Sequence, residues 1–147
     1  MKKIITAAVV LAAMLANVAV HAADNKVMLP IATAMAENNA QYRLGNSVKF
    51  FFGKQVTPPV LERIAVDKTS LKTNAFGKTN EKACNWVFLS DMLQLQKRAK
   101  ELGANAVINI VSNYENVEYS SETEFECHVG AIMAGVAFKG EFVRIAD

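Results

Sequence analysis

The residues best placed by type and spacing to do chemistry are Glu122, Glu124, Glu126 and His128. They occupy every second position, so on an extended strand all four project from one face. Carboxylates with an imidazole are ligands suited to zinc or nickel, and Glu124, Glu126 and His128 form the candidate metal set. Spacing limits that reading. At about 3.3 Å per residue the row covers nearly 20 Å, so at most two adjacent members share one ion. The plainer account is a solvated strand face whose acidic charges discourage edge-to-edge pairing.

Other chemistry is thin. His128 is the one imidazole beyond the leader, so no histidine-based triad is expected unless it is that residue, and the two cysteines, Cys84 and Cys127, are better spent on each other. Neither GxxxxGK[ST] nor GxGxxG occurs, which removes both familiar phosphate cradles. The expectation is a protein that is not an enzyme and carries no cofactor, with a small hydrolase ranked behind other readings.

The N-terminus sets the compartment. Met1-Lys2-Lys3 is a positive n-region, Ile4 to Val20 is almost uninterrupted apolar sequence, and Val20-His21-Ala22 supplies small residues for processing. Residues 1–22 read as a cleavable signal peptide rather than a retained anchor, because the run is marginal for spanning and no stop-transfer pattern follows. No cysteine lies near the processing site, so lipidation is not expected. Removing 22 residues from 147 leaves 125, so residues 23–147 are expected to form a single periplasmic domain with a sizeable core. The chain has 16 basic and 14 acidic residues, and Lys2 and Lys3 leave with the leader, giving 14 of each. That balance lacks the electrostatic footprint of a nucleic-acid binder. A cysteine pair in an oxidising compartment is most simply one disulfide.

The elements that must position these groups show varied signals. Pro30 to Gly45 reads as a shorter N-terminal helix, interrupted by Asn38 and Asn39. Ser47 to Lys54 reads as a strand with Val48, Phe50 and Phe52 on one face and Lys49 and Phe51 on the other. Val60 to Val66 reads as a second strand, and polar Asp67 to Asn80 as a long connecting loop. Asn80 to Leu102 has the clearest pattern: Thr79 or Asn80 as cap, Glu81 in the first turn, Lys97, Arg98 and Lys100 near the end, then Gly103. Its apolar face is wide, with Trp86, Leu89 and Leu93 flanking Cys84, Val87, Phe88 and Met92. Ala104 to Val111 reads as a buried strand. Asn113 to Asn116 reads as a hairpin leading into a strand over Val117 to Val129, and Gly130 to Ile145 as one or two strands bending at Gly135 or Gly140. Cys127 falls on the inward side of its strand and Cys84 on the apolar side of the helix, where they can meet. The fold class is α+β, a mainly antiparallel sheet covered on one face by one long helix.

Cys84-Asn85-Trp86 through LSDMLQLQKRAKELGANAVINI, ending at Ile110, and ECHVGAIMAGVAFKG from Glu126 to Gly140, resemble a family of small exported bacterial proteins often mislabelled excinuclease ATPase subunit. A chain with no phosphate-binding loop gives that label no support. The helix followed by Leu102-Gly103-Ala104-Asn105-Ala106-Val107 also resembles the YbjQ-like fold group, described as heavy-metal-binding domains that form rings, and the RcsF-like envelope lipoproteins. The resemblance implies a helix-to-strand disulfide on Cys84 and Cys127. It transfers no metal ligand set. The chain departs from the RcsF-like pattern in lacking a lipidated cysteine, a proline-rich tether and a second disulfide, which removes support for signalling through the outer membrane.

The resulting expectation is a non-enzymatic periplasmic binding or interaction module of unknown ligand with an envelope-stress connection through its resemblance, and divalent metal binding or sequestration as the alternative. Expected partners are a second copy, suggested by the apolar excess around Trp86 and Phe51, or another envelope protein. No nucleic acid and no stable membrane anchor are expected.

Overall fold

The computed structural model describes residues 24–147, so the expected signal peptide, residues 1–22, lies outside the described residues. In chain order the elements are β1 (Asn25–Pro30), α1 (Ile31–Ala36), α2 (Ala40–Leu44), β2 (Lys49–Phe52), β3 (Val60–Asn74), α3 (Asn80–Leu102), β4 (Ala106–Ser112), β5 (Glu124–Val129) and β6 (Met133–Ile145). They make an α+β fold, a curled, mostly antiparallel sheet with three helices, one of them long.

β6 is the spine of the sheet. One of its edges pairs with β3 along the whole of β6. The other is shared, β4 taking the C-terminal part and β5 only His128↔Gly135 and Val129↔Ala134. β1 lies outside β5 and β2 outside β4, and β2–β4 is the parallel pair. Along β6 the side chains alternate, so Ala134, Val136, Phe138 and Phe142 join the main core. Gly140 shares that side because it must: a Cβ there would meet Val107 Cγ1 at 2.7 Å.

α3 forms where its caps and period place it. Thr79 accepts a hydrogen bond from the Lys82 amide, and Gly103 adopts a left-handed φ of 72° that no residue with a Cβ enters as freely. Its buried Phe88 meets Phe125 of β5 with ring centroids 4.7 Å apart and Phe138 of β6 edge-on at 5.7 Å, while Phe52 stacks beyond at 6.2 Å. Four aromatic rings from a helix and three strands thus share one core. Cys84 and Cys127, both fully buried, lie at disulfide-bonding distance, with Sγ atoms 2.05 Å and Cα atoms 6.0 Å apart. The wide apolar face is largely absorbed here, since Val87, Phe88, Leu89 and Met92 are all buried; Trp86 remains 45% exposed beneath the Arg43 guanidinium. Phe51 is half-buried, packed against a second small cluster of Ala106, Ile108, Val143 and Ile145.

Three expectations are corrected. The N-terminal helix is two short helices, because Asn38 and Asn39 both take left-handed φ values, near 54° and 55°, and break the ladder. Asp67 to Asn74 is not loop but the second half of β3, a 15-residue strand. Its alternation is polar against half-buried, with Lys68, Ser70 and Lys72 outward and Thr69, Leu71 and Thr73 inward, as suits an outer strand bordered only by β6. The strand expected over Val117 to Val129 begins only at Glu124. Further back no edge is free for it: β4 holds that part of β6, and β1 ends at Pro30 opposite Glu124. Residues 113–123 therefore cross the sheet as a connection, touching β4 through the Ser112–Tyr119 bridge.

Crosslinking positions 43 residues apart restricts the unfolded chain, so Cys84→Ala or Cys127→Ala should each destabilise the domain by about 2–5 kcal/mol in equilibrium denaturation. The double variant should lose little more than either single one, because all three lack the same crosslink.

Candidate functional site

β5 divides its side chains cleanly. Phe125, Cys127 and Val129 enter the core, and the intervening Glu126 and His128 lie on the face turned away from it. Glu126 and His128 meet: Glu126 Oε1 is 2.5 Å from Nε2 of the imidazole. The third candidate, Glu124, does not join them, being exposed at the strand's start opposite Pro30. Its place is taken by Asp24, whose Oδ2 sits 2.9 Å from His128 Nδ1. The Tyr114 ring lies flat on the imidazole, with centroids 3.5 Å apart and planes 6° from parallel, and its hydroxyl donates to the same Asp24 oxygen at 3.3 Å. Burial, then the nearby Asp24 carboxylate, push the Tyr114 phenol above its ordinary value.

Two carboxylates on opposite nitrogens satisfy the ring in different ways. A neutral imidazole has one N–H and donates to one of them, whereas imidazolium donates to both. The divergent nitrogens also keep Asp24 and Glu126 apart, and among the described residues no group of three or more His, Cys, Asp or Glu gathers as a metal site would require. As it stands the cluster ties three pieces of chain together: the start of β1, the middle of β5 and the connection carrying Tyr114. Sequence reasoning missed Asp24 and Tyr114, since the first is 104 positions from His128 and the second lay in an expected hairpin turn.

Tyr114 opens the segment that roofs this face. Glu115 and Asn116 follow in left-handed conformations with φ of 52° and 62°, which turns the chain across the sheet. Polar contacts hold it there. Lys68 Nζ donates to Asn116 Oδ1 at 2.8 Å and Lys139 Nζ to Glu118 Oε1 at 2.7 Å. Tyr119 pairs with Ser112 through the backbone, and Gly53, with φ of 55°, lets the chain approach Ser121 closely. Between roof and sheet lies a cavity of about 570 Å³ reached by Lys68, Asn113, Asn116, Glu118 and Lys139. A second of about 410 Å³ continues it toward Ser70, Lys72 and Tyr114, sharing Lys68, Asn113 and Asn116. A more apolar groove of about 660 Å³ runs between α1–α2 and β2, lined by Ile31, Met35, Leu44 and Phe50.

One buried acid stands apart from the roofed face. Asp91 of α3 is 0% exposed, Thr69 faces it from β3, and neither its carboxyl oxygens nor the Thr69 hydroxyl completes a hydrogen bond of good geometry. Burial, opposed only in part by that hydroxyl, pushes the carboxyl up to about 7.

The chain matches no protein-family model, and a search of curated proteins finds no match for it.

Asp91 makes stability depend on pH. Its folded-state value lies above the ordinary 3.8, so between 3.8 and about 7 the folded protein binds the extra proton. Stability should therefore fall as pH rises through that window and level off above it, and Asp91→Asn should flatten this part of the curve. Urea unfolding of both proteins across the pH range measures the slope.

Proposed function

We propose that the protein is an exported, non-enzymatic binding module of the bacterial envelope, whose binding surface is the roofed sheet face. The observation that carries this reading is the polar cleft of about 570 Å³ between Lys68, Asn113, Asn116, Glu118 and Lys139. α3 is read as the cover of the opposite face, which leaves this one to serve a ligand. Its convergent polar groups, two contiguous cavities and overlying segment are what a small-ligand site needs. Export is supported by the leader pattern, by cysteines at bonding distance and by a resemblance to small exported proteins and the YbjQ-like and RcsF-like groups. Among the described residues no helix is long and apolar enough to cross a membrane.

A second reading, divalent cation binding, rests on the meeting of Glu126 and His128, the two adjacent members of the row that could share one ion, while Asp24 lies on the opposite ring nitrogen. Zinc calorimetry on the protein and on His128→Ala separates it from the first: stoichiometric binding lost in the variant supports a cation site. Self-association rests on the exposed Trp86, beneath Arg43, and on Tyr42, 89% exposed and next to Arg43 in the chain, residue types that anchor interfaces.

The cleft reading is tested by melting the mature protein with small-molecule fractions of envelope extract. A ligand present at a hundred times its dissociation constant stabilises by about 2.7 kcal/mol, so one active fraction should raise the melting temperature by several degrees. Val66→Trp, which fills the mouth of the cavity from an exposed position, should abolish the rise. A rise that persists in Val66→Trp, or none with any fraction, contradicts the reading.

A further inference from the structure

Lys68 of β3 and Lys139 of β6 are direct register partners, and both reach the same cavity. Directly opposed residues of an antiparallel pair stand about 4.5–5.5 Å apart, and like charges so placed repel. Protection of a sheet edge explains one of them. β3 is an outer strand, where lysine discourages further pairing, but β6 is flanked on both sides, with Val111 of β4 opposite Lys139. Edge protection therefore gives no reason for an ammonium at position 139.

The neighbouring charges do not neutralise the pair. Asp67 also borders the cavity, yet its carboxylate is held by Arg98 of α3 at 2.9 Å. Glu141, two residues along β6, is held by Arg63 at 2.5 Å. Lys72 adds a further positive charge and Glu115 a negative one in the adjoining cavity, while Asn113 and Asn116 are uncharged. That leaves Glu118, brought in by the roof and bonded to Lys139, as the one carboxylate within hydrogen-bond distance of either ammonium group among the described residues; Lys68 is held only by the uncharged Asn116.

Resting on the cleft reading above, we propose that the cleft binds a compact oxyanion, a phosphate or carboxylate group, between Lys68 and Lys139, in place of the Glu118 carboxylate on Lys139 and the Asn116 amide oxygen on Lys68. The Glu118 carboxylate is chemically what the pair would take from solution. It is about half exposed and faces a similarly exposed lysine, so its grip is weak and readily exchanged for a free anion. Exchange releases Glu118 together with the Asn116 contact to Lys68, so binding and loosening of residues 116–118 are one event. Two ammonium groups on adjacent strands suit a phosphate as point charges.

The test is calorimetric titration of the mature protein with inorganic phosphate and, separately, with succinate at low ionic strength. Binding of either probe that weakens with added salt, tightens several-fold in Glu118→Gln and disappears in Lys139→Met supports the proposal, and the tighter probe names the class. Melting curves confirm that each variant is folded, and Lys68→Met supplies a second loss-of-binding variant should Lys139→Met not fold. Binding unchanged in Glu118→Gln, or retained when either lysine is removed, overturns the proposal. Should neither probe bind while the envelope fraction still gives a melting shift sensitive to Val66→Trp, the oxyanion proposal fails and the cleft reading stands. Absence of both effects removes the two together.

Discussion

The rest of the structure depends on which way β5 faces, and that is decided at Cys127. Its sulfur lies at bonding distance from Cys84 on α3, and Phe125, two residues earlier, enters the four-ring cluster with Phe88, Phe138 and Phe52. A strand alternates strictly, so slipping it by one residue would exchange all its inward and outward side chains. Holding Cys127 inward therefore holds Glu126 and His128 outward. The contacts that close the core place the imidazole where Asp24 and Tyr114 reach it, and core and candidate site become two consequences of one register.

The two faces are held by different forces. On the core side the interactions are apolar, with Phe88, Phe125, Phe138 and Phe142 all fully buried. The roof is held by the Ser112–Tyr119 backbone bridge, by Tyr114 stacked on His128, and otherwise by single polar side-chain contacts, Lys68 to Asn116, Lys139 to Glu118 and Tyr114 to Asp24, each at or near the surface. Exposed ion pairs are worth about 0–1 kcal/mol, far less than a buried aromatic side chain, so the side-chain contacts of the roof are weak beside those of the core. A binding surface needs that asymmetry: a rigid sheet beneath and a cover that exchanges its contacts without disturbing the core. The Asp91 carboxyl lies between α3 and β3, so ionising it acts on the core side.

What the sequence discloses follows the range of the interaction. α3 is legible from Thr79 to Gly103 because its caps, first-turn acid and apolar period are all local. The cysteine pairing is legible because helix and strand periods independently turn Cys84 and Cys127 inward. β3 is half hidden: its polar second half, Asp67 to Asn74, has a loop's composition and becomes strand by pairing with β6, more than 50 residues later in the chain. The end of the acidic row is hidden for the opposite reason. Residues 117–123 share the strand's alternation but find no free edge. Asp24 beside His128, Lys68 opposite Lys139 and Asp91 beneath Thr69 all depend on long-range register, which neither composition nor spacing encodes. The Glu126–His128 contact, by contrast, needed only the alternation of one strand.

The most direct test of the central claim, that an exported domain is fixed by the Cys84–Cys127 crosslink, is the intact mass of the protein isolated from the envelope, denatured and alkylated without prior reduction. The predicted mass is that of residues 23–147 with two hydrogens fewer and no alkyl group added. Two alkylated thiols would contradict the crosslink, and with it the argument that Cys127 fixes the register turning Glu126 and His128 outward.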